Sequence, residues 1–101
     1  MLDTIELSKK LISFDSVTPA KQDIFDFLIK TFEENGFVTK QLNFDGDGSY
    51  EVINIMATYG PTNTNGKHFN FLCHVDVVPP GNLEDWDTHP FEPTIKVGSK
   101  G

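Results

Sequence analysis

The stretch Phe69-Asn70-Phe71-Leu72-Cys73-His74-Val75 is apolar enough to be a central β-strand. Pro79-Pro80-Gly81 then ends the segment. A strand buried on both faces needs helices or other strands against each side, so its neighbours decide what the chain can fold into. Two helical patterns precede it. In the first, Leu2, Ile5, Leu7, Leu11, Ile12 and Phe14 fall at helical spacing behind Asp3 or Thr4 as cap. Ser16-Val17-Thr18-Pro19 breaks that helix, because Pro19 disfavours helical backbone at Thr18. The second helix is predicted over roughly 21–35, with Ile24, Phe25, Leu28 and Phe32 on one face and Gly36 closing it after Asn35.

Strands are predicted at 37–44, where Val38, Leu42 and Phe44 share a side, and at 51–59 around Val52, Ile53, Ile55 and Met56. Asp45-Gly46-Asp47-Gly48 between them is a solvated turn; the spaced oxygen ligands and closing Glu of a calcium loop are missing. Gly60–Gly66 is a polar loop, and Thr94–Val97 is predicted as one more short strand. Helices followed by strands make an α/β or α+β opening, and α/β is the fold class expected. The strands do not close a complete sheet, and Val97-Gly98-Ser99-Lys100-Gly101 reads as a turn, so a piece of a larger domain is expected.

With 101 residues, two independent domains are nearly excluded. Eight Lys, no Arg and fifteen acidic residues leave a net charge of −7. That balance argues against nucleic acid and against an anionic membrane surface as partners. No apolar run approaches the roughly 20 residues that span a bilayer. The N-terminus lacks a basic and apolar leader, and the single Cys73 has no internal disulfide partner, so a cytoplasmic location is expected.

The chemistry concentrates in His74-Val75-Asp76. In a strand, residues i and i+2 face the same way, so His74 and Asp76 project together from the strand's C-terminal end, where α/β sheets place ligands. A neutral imidazole binds a metal through one nitrogen while a carboxylate fixes the other. The bland alternative is a strand-end His satisfied by a neighbouring Asp; with three His and nine Asp, roughly one sequence in four carries such a pair by chance. Other candidates are weaker. Cys73 should point away from His74 and is expected to be a buried thiol. His68 would lie about 20 Å from His74, too far to share a metal. His89 is expected in solvent, Trp86 is expected to pack its loop, and Asp85 and Asp87 read as surface charges.

Phe71-Leu72-Cys73-His74-Val75-Asp76-Val77-Val78-Pro79-Pro80-Gly81, then Trp86, then Pro90-Phe91-Glu92-Pro93, closely resembles the first metal-binding segment of the M20 family of zinc-dependent peptidases and amidohydrolases. Leu11-Ile12-Ser13 with Ser16–Pro19 is similar to that family's N-terminal helix and turn. The chain departs from the family pattern at Cys73, where Gly is common, at Val75 for Thr, at His89 for Pro, and over Val97–Gly101.

The resemblance implies the following. Residues 1–101 would be the N-terminal segment of a zinc-exopeptidase-like catalytic domain, the lid or dimerisation domain and the rest of the catalytic domain lying elsewhere. His74 would be a metal ligand, and Asp76 the carboxylate of the catalytic site that orients it. The cofactor would be zinc in a two-metal site, the second metal being zinc or cobalt. The activity would be hydrolysis of N-succinyl-L,L-diaminopimelate, a small-molecule step of lysine biosynthesis, by a homodimer. The bridging Asp, the catalytic Glu and the remaining ligands would come from outside this chain. Another M20 amidohydrolase, an aminoacylase or a carboxypeptidase, is the first alternative, and a non-catalytic truncated remnant the second. The 101 residues alone are expected to be inactive.

Overall fold

The computed structural model describes residues 3–46, 48–61 and 65–97. Leu2, Asp47, the centre of the polar loop at 62–64 and the tail from 98 onward lie outside the described residues. The chain divides into two units, one made of the residues up to Asp15 and those from Val78 on, the other of Ser16–Val77.

In the first unit, helix α1 spans Thr4–Ser13. Asp3 caps it as expected: its Oδ1 accepts the backbone N–H groups of Ile5 at 2.9 Å and Glu6 at 3.2 Å. From Val78 onward the chain is irregular apart from a 3₁₀ turn at Leu83–Asp85, capped by Asn82. The strand expected at Thr94–Val97 does not form; those residues are exposed and pair with no neighbouring strand.

The second unit carries helix α2, Gln22–Glu34, and an antiparallel hairpin of β1, Val38–Phe44, and β2, Val52–Thr58, in which Gln41 faces Ile55. The helix ends as its sequence requires. Gly36 takes φ +89°, and Gly36 and Phe37 return their N–H groups to the Glu33 and Phe32 carbonyls. A side chain at Gly36 would also put its Cβ 3.3 Å from the Tyr59 ring. The Phe37 ring fills that corner, 5.1 Å from both Phe32 and Tyr59.

Both hairpin strands were legible, but the face that turns inward was not. Thr39 and Gln41 of β1 and Ile53, Ile55 and Ala57 of β2 are half-buried, and the register places them on one face. Helix α2 meets that face through polar bonds, Thr39 Oγ1 to Glu33 at 2.6 Å and a reciprocal amide pair between Gln22 and Gln41 at 2.9 and 3.0 Å. Val38 and Phe44, expected to define the apolar side with Leu42, are exposed with Val52 and Met56.

The central strand expected at Phe69–Val75 is also corrected. No ladder pairing joins it to another described segment, and Phe69, Phe71 and Leu72 are 84%, 84% and 95% exposed. The expected mixed sheet reduces to the antiparallel hairpin and a single parallel bridge, Val17 to Val77. The reason is the absence of cover: among the described residues only Ile24 and Phe25 are buried apolar side chains, both on α2. Two such residues cannot build the layers a doubly covered strand needs.

The rings of Phe69 and Phe71, 4.9 Å apart, and Val38, Phe44, Val52 and Met56 of the hairpin are all exposed, and exposed apolar side chains of this kind favour association. We therefore expect the isolated chain to bind a hydrophobic dye such as ANS and to self-associate in sedimentation despite its −7 charge. A dye-silent monomer with one sharp unfolding transition would contradict this description.

Candidate functional site

The site is built where the Ser16–Thr18 turn meets the end of the extended run. Two backbone hydrogen bonds tie them: Thr18 N–H donates to Val77 O and Val77 N–H donates to Ser16 O, each at 3.0 Å. Ser16 itself is buried. This registration sets Thr18 beside Asp76, 58 residues away in sequence, and the Thr18 hydroxyl donates to Asp76 Oδ2 at 2.8 Å. The Val77 carbonyl lies farther from that hydroxyl, at 3.2 Å.

The other carboxylate oxygen turns to the histidine. His74 Nδ1 lies 3.1 Å from Asp76 Oδ1 and 3.0 Å from the Asp76 carbonyl oxygen. A carbonyl and a carboxylate can only accept, so Nδ1 carries the proton. In the neutral ring Nε2 is then left with its lone pair, the form in which imidazole binds a metal. The His74 side chain is 83% exposed. His74 and Asp76 are thus brought together as the spacing implied, although the backbone carrying them is not a strand.

This geometry fits one arm of a metal site. A catalytic zinc takes three protein ligands, and no cluster of three or more His, Cys, Asp or Glu able to hold a metal occurs among the described residues. Cys73, expected as a buried thiol, is exposed, because the strand that would have covered it does not form. His68 is exposed. His89 is exposed as expected, and its Nδ1 accepts the Phe91 N–H at 3.2 Å. Trp86 anchors its loop, with Nε1 donating to Pro80 O at 3.0 Å. Asp87 pairs with Lys96 at 3.4 Å on the surface.

Thr18 is the participant that sequence reasoning missed. Its segment was read as a helix breaker and as part of the family resemblance, but nothing local announces a hydroxyl aimed at a carboxylate 58 residues on.

Searches among known proteins set this geometry in context. A succinyl-diaminopimelate desuccinylase of Pelagibacter ubique (strain HTCC1062) is 46% identical over 92 residues, covering 91% of this chain and 23% of that protein. One from the Wolbachia of Brugia malayi (strain TRS) is 42% identical over 98 residues, covering 96% and 23%, and one from Methylococcus capsulatus (strain Bath) is 41% identical over 98 residues, covering 97% and 24%. The chain resembles the M20-family succinyl-diaminopimelate desuccinylases along nearly its whole length. It spans about a quarter of the length of the curated desuccinylases it matches. No family model matches it. No helix among the described residues is long and apolar enough to cross a membrane.

The carboxylate that this M20-like segment sets against His74 is electrostatically tuned. The Thr18 hydroxyl does most to hold the Asp76 carboxyl below the usual carboxylate range; partial desolvation opposes it, and His74 reinforces it. A lowered value means the folded state favours the ionised carboxylate. Its contribution to stability is then present above the unfolded value of about 3.9 and is lost as pH falls through the lowered folded value. Carboxyl-carbon NMR should show Asp76 titrating below the ordinary aspartate value. A midpoint at or above that value would mean the Thr18 bond is not made in solution.

Proposed function

We propose that the chain is the His74-bearing segment of a zinc-dependent amide hydrolase that converts N-succinyl-L,L-diaminopimelate to succinate and L,L-diaminopimelate in lysine biosynthesis. The observation that carries this reading is the Asp76–His74 pair, held with Nδ1 occupied and Nε2 free, in a chain 39–46% identical to desuccinylases over more than nine-tenths of its length.

In this reading residues 1–101 form the N-terminal segment of the catalytic domain. His74 Nε2 is one zinc ligand. Asp76 is a positioning residue: it holds the imidazole in the tautomer that presents Nε2 and raises its basicity. The other ligands, a bridging Asp and a general-base Glu come from residues outside this segment, and the second metal is zinc or cobalt. When bound, the metals supply Lewis-acid polarisation of the scissile amide carbonyl. The whole enzyme would be a cytoplasmic homodimer, paired through a domain other than this one, with a small-molecule substrate and neither nucleic acid nor membrane as partner.

The test is a chimaera in which this chain replaces the matching quarter of the Methylococcus capsulatus relative. The chimaera should release succinate from the substrate in a metal-dependent manner, while the 101 residues alone should not. Asp76→Asn should keep the fold and lower activity or metal affinity roughly 10–100-fold. If Asp76 were only structural, that substitution would instead lower the melting temperature and leave specific activity intact. A folded chimaera that hydrolyses N-acetyl amino acids or peptides in place of the succinylated substrate would move the reading to another M20 amidohydrolase. One that hydrolyses none of them would leave a non-catalytic segment.

A further inference from the structure

The Thr18–Asp76 bond is not explained by ligand chemistry at His74 alone. Asp76 could satisfy both oxygens with water, since its side chain is 40% exposed. Instead Oδ2 is held by Thr18 and Oδ1 faces His74 Nδ1. We propose that Thr18 is a positioning residue for the metal-ligating histidine, acting through Asp76. This rests on the reading of His74 as a ligand given above.

A free aspartate rotates about χ2, whose wells are broad, and offers either oxygen to its neighbour. The bridge at Val17 and Val77 fixes the Thr18 and Asp76 backbones relative to each other. With both backbones fixed, the 2.8 Å bond from Thr18 Oγ1 selects one carboxylate orientation, and in it Oδ1 meets His74 Nδ1. Hydrogen bonds to an ionised partner are the stronger kind, so this one outweighs the 3.2 Å alternative at Val77 O. Thr18 thereby biases which imidazole nitrogen carries the proton. His74 is too exposed for packing to hold the ring, so its orienting contacts are the Asp76 carbonyl at 3.0 Å and this chain of two hydrogen bonds, of which only the chain depends on Thr18.

The chain contains three histidines, so ring-nitrogen NMR of ¹⁵N-histidine-labelled protein resolves each one. The measurement is made on the 101-residue chain, about two pH units above the ordinary histidine value of about 6.5. In the wild type the His74 Nδ1 and Nε2 resonances should be widely separated, as in a single Nδ1-protonated tautomer. Thr18→Val keeps the shape and removes the hydroxyl; the two resonances should move toward each other as both tautomers populate. Thr18→Ser should restore the separation and Thr18→Ala should not; that pair decides the matter if the valine variant loses its fold. Asp76→Asn separates the two levels of the argument. If Asp76→Asn collapses the separation while Thr18→Val and Thr18→Ala leave it intact, the role of Thr18 is refuted and the Asp76–His74 unit survives. If the wild type shows mixed tautomers, or Asp76→Asn changes nothing, the Asp76–His74 unit itself fails and Thr18 with it.

Discussion

Two backbone hydrogen bonds at the Val17–Val77 bridge hold the candidate site together. Each is worth on the order of 1 kcal/mol net, too little to enforce a distant pairing alone. Their importance is positional. They fix where Asp76 sits relative to Thr18, and Asp76 then fixes the ring of His74. Ser16, buried in the same turn, gives its carbonyl to Val77, and no buried side-chain polar atom among the described residues lacks a partner. The arrangement follows a usual logic for metal ligands: a neutral imidazole binds well only when its other nitrogen is engaged, and the group that engages it must itself be held.

The elements that were legible in the sequence are those whose signals are local. Asp3 caps α1 through its own side chain, Gly36 closes α2 because only glycine takes φ +89° without cost, and the hairpin follows two short β-prone runs around a glycine-rich turn. The pairing of His74 with Asp76 was legible because i and i+2 lie on one side of any extended backbone. What was not legible depends on partners far away in sequence. Apolar alternation put Val38, Leu42 and Phe44 on one side, but α2 meets the opposite face, where Gln22 and Glu33 bond Gln41 and Thr39 beside half-buried Ile53, Ile55 and Ala57. Phe69–Val75 has the composition of a covered strand, yet composition cannot supply the cover; with Ile24 and Phe25 the only buried apolar side chains among the described residues, Phe69, Phe71 and Leu72 stay open and Cys73 with them. Thr18 carries no pattern of its own, and its role exists only once the bridge has formed.

The segment presents one oriented histidine and an exposed apolar run leading into it that pairs with no strand among the described residues. It spans about a quarter of the desuccinylases it resembles. In the proposed enzyme the missing ligands and the missing cover for Phe69, Phe71 and Leu72 would both come from the remainder. Burial of that run would then do two things at once, completing the fold and stiffening the backbone on which His74 is carried.

The most direct test of the central claim counts the ligands. Zinc-edge X-ray absorption on the zinc-loaded chimaera, compared with its His74→Ala variant, reads the number of imidazoles bound to the metal. One imidazole fewer in the variant, with the protein still folded, is the expected result. An unchanged imidazole count would contradict the assignment of His74 as a metal ligand.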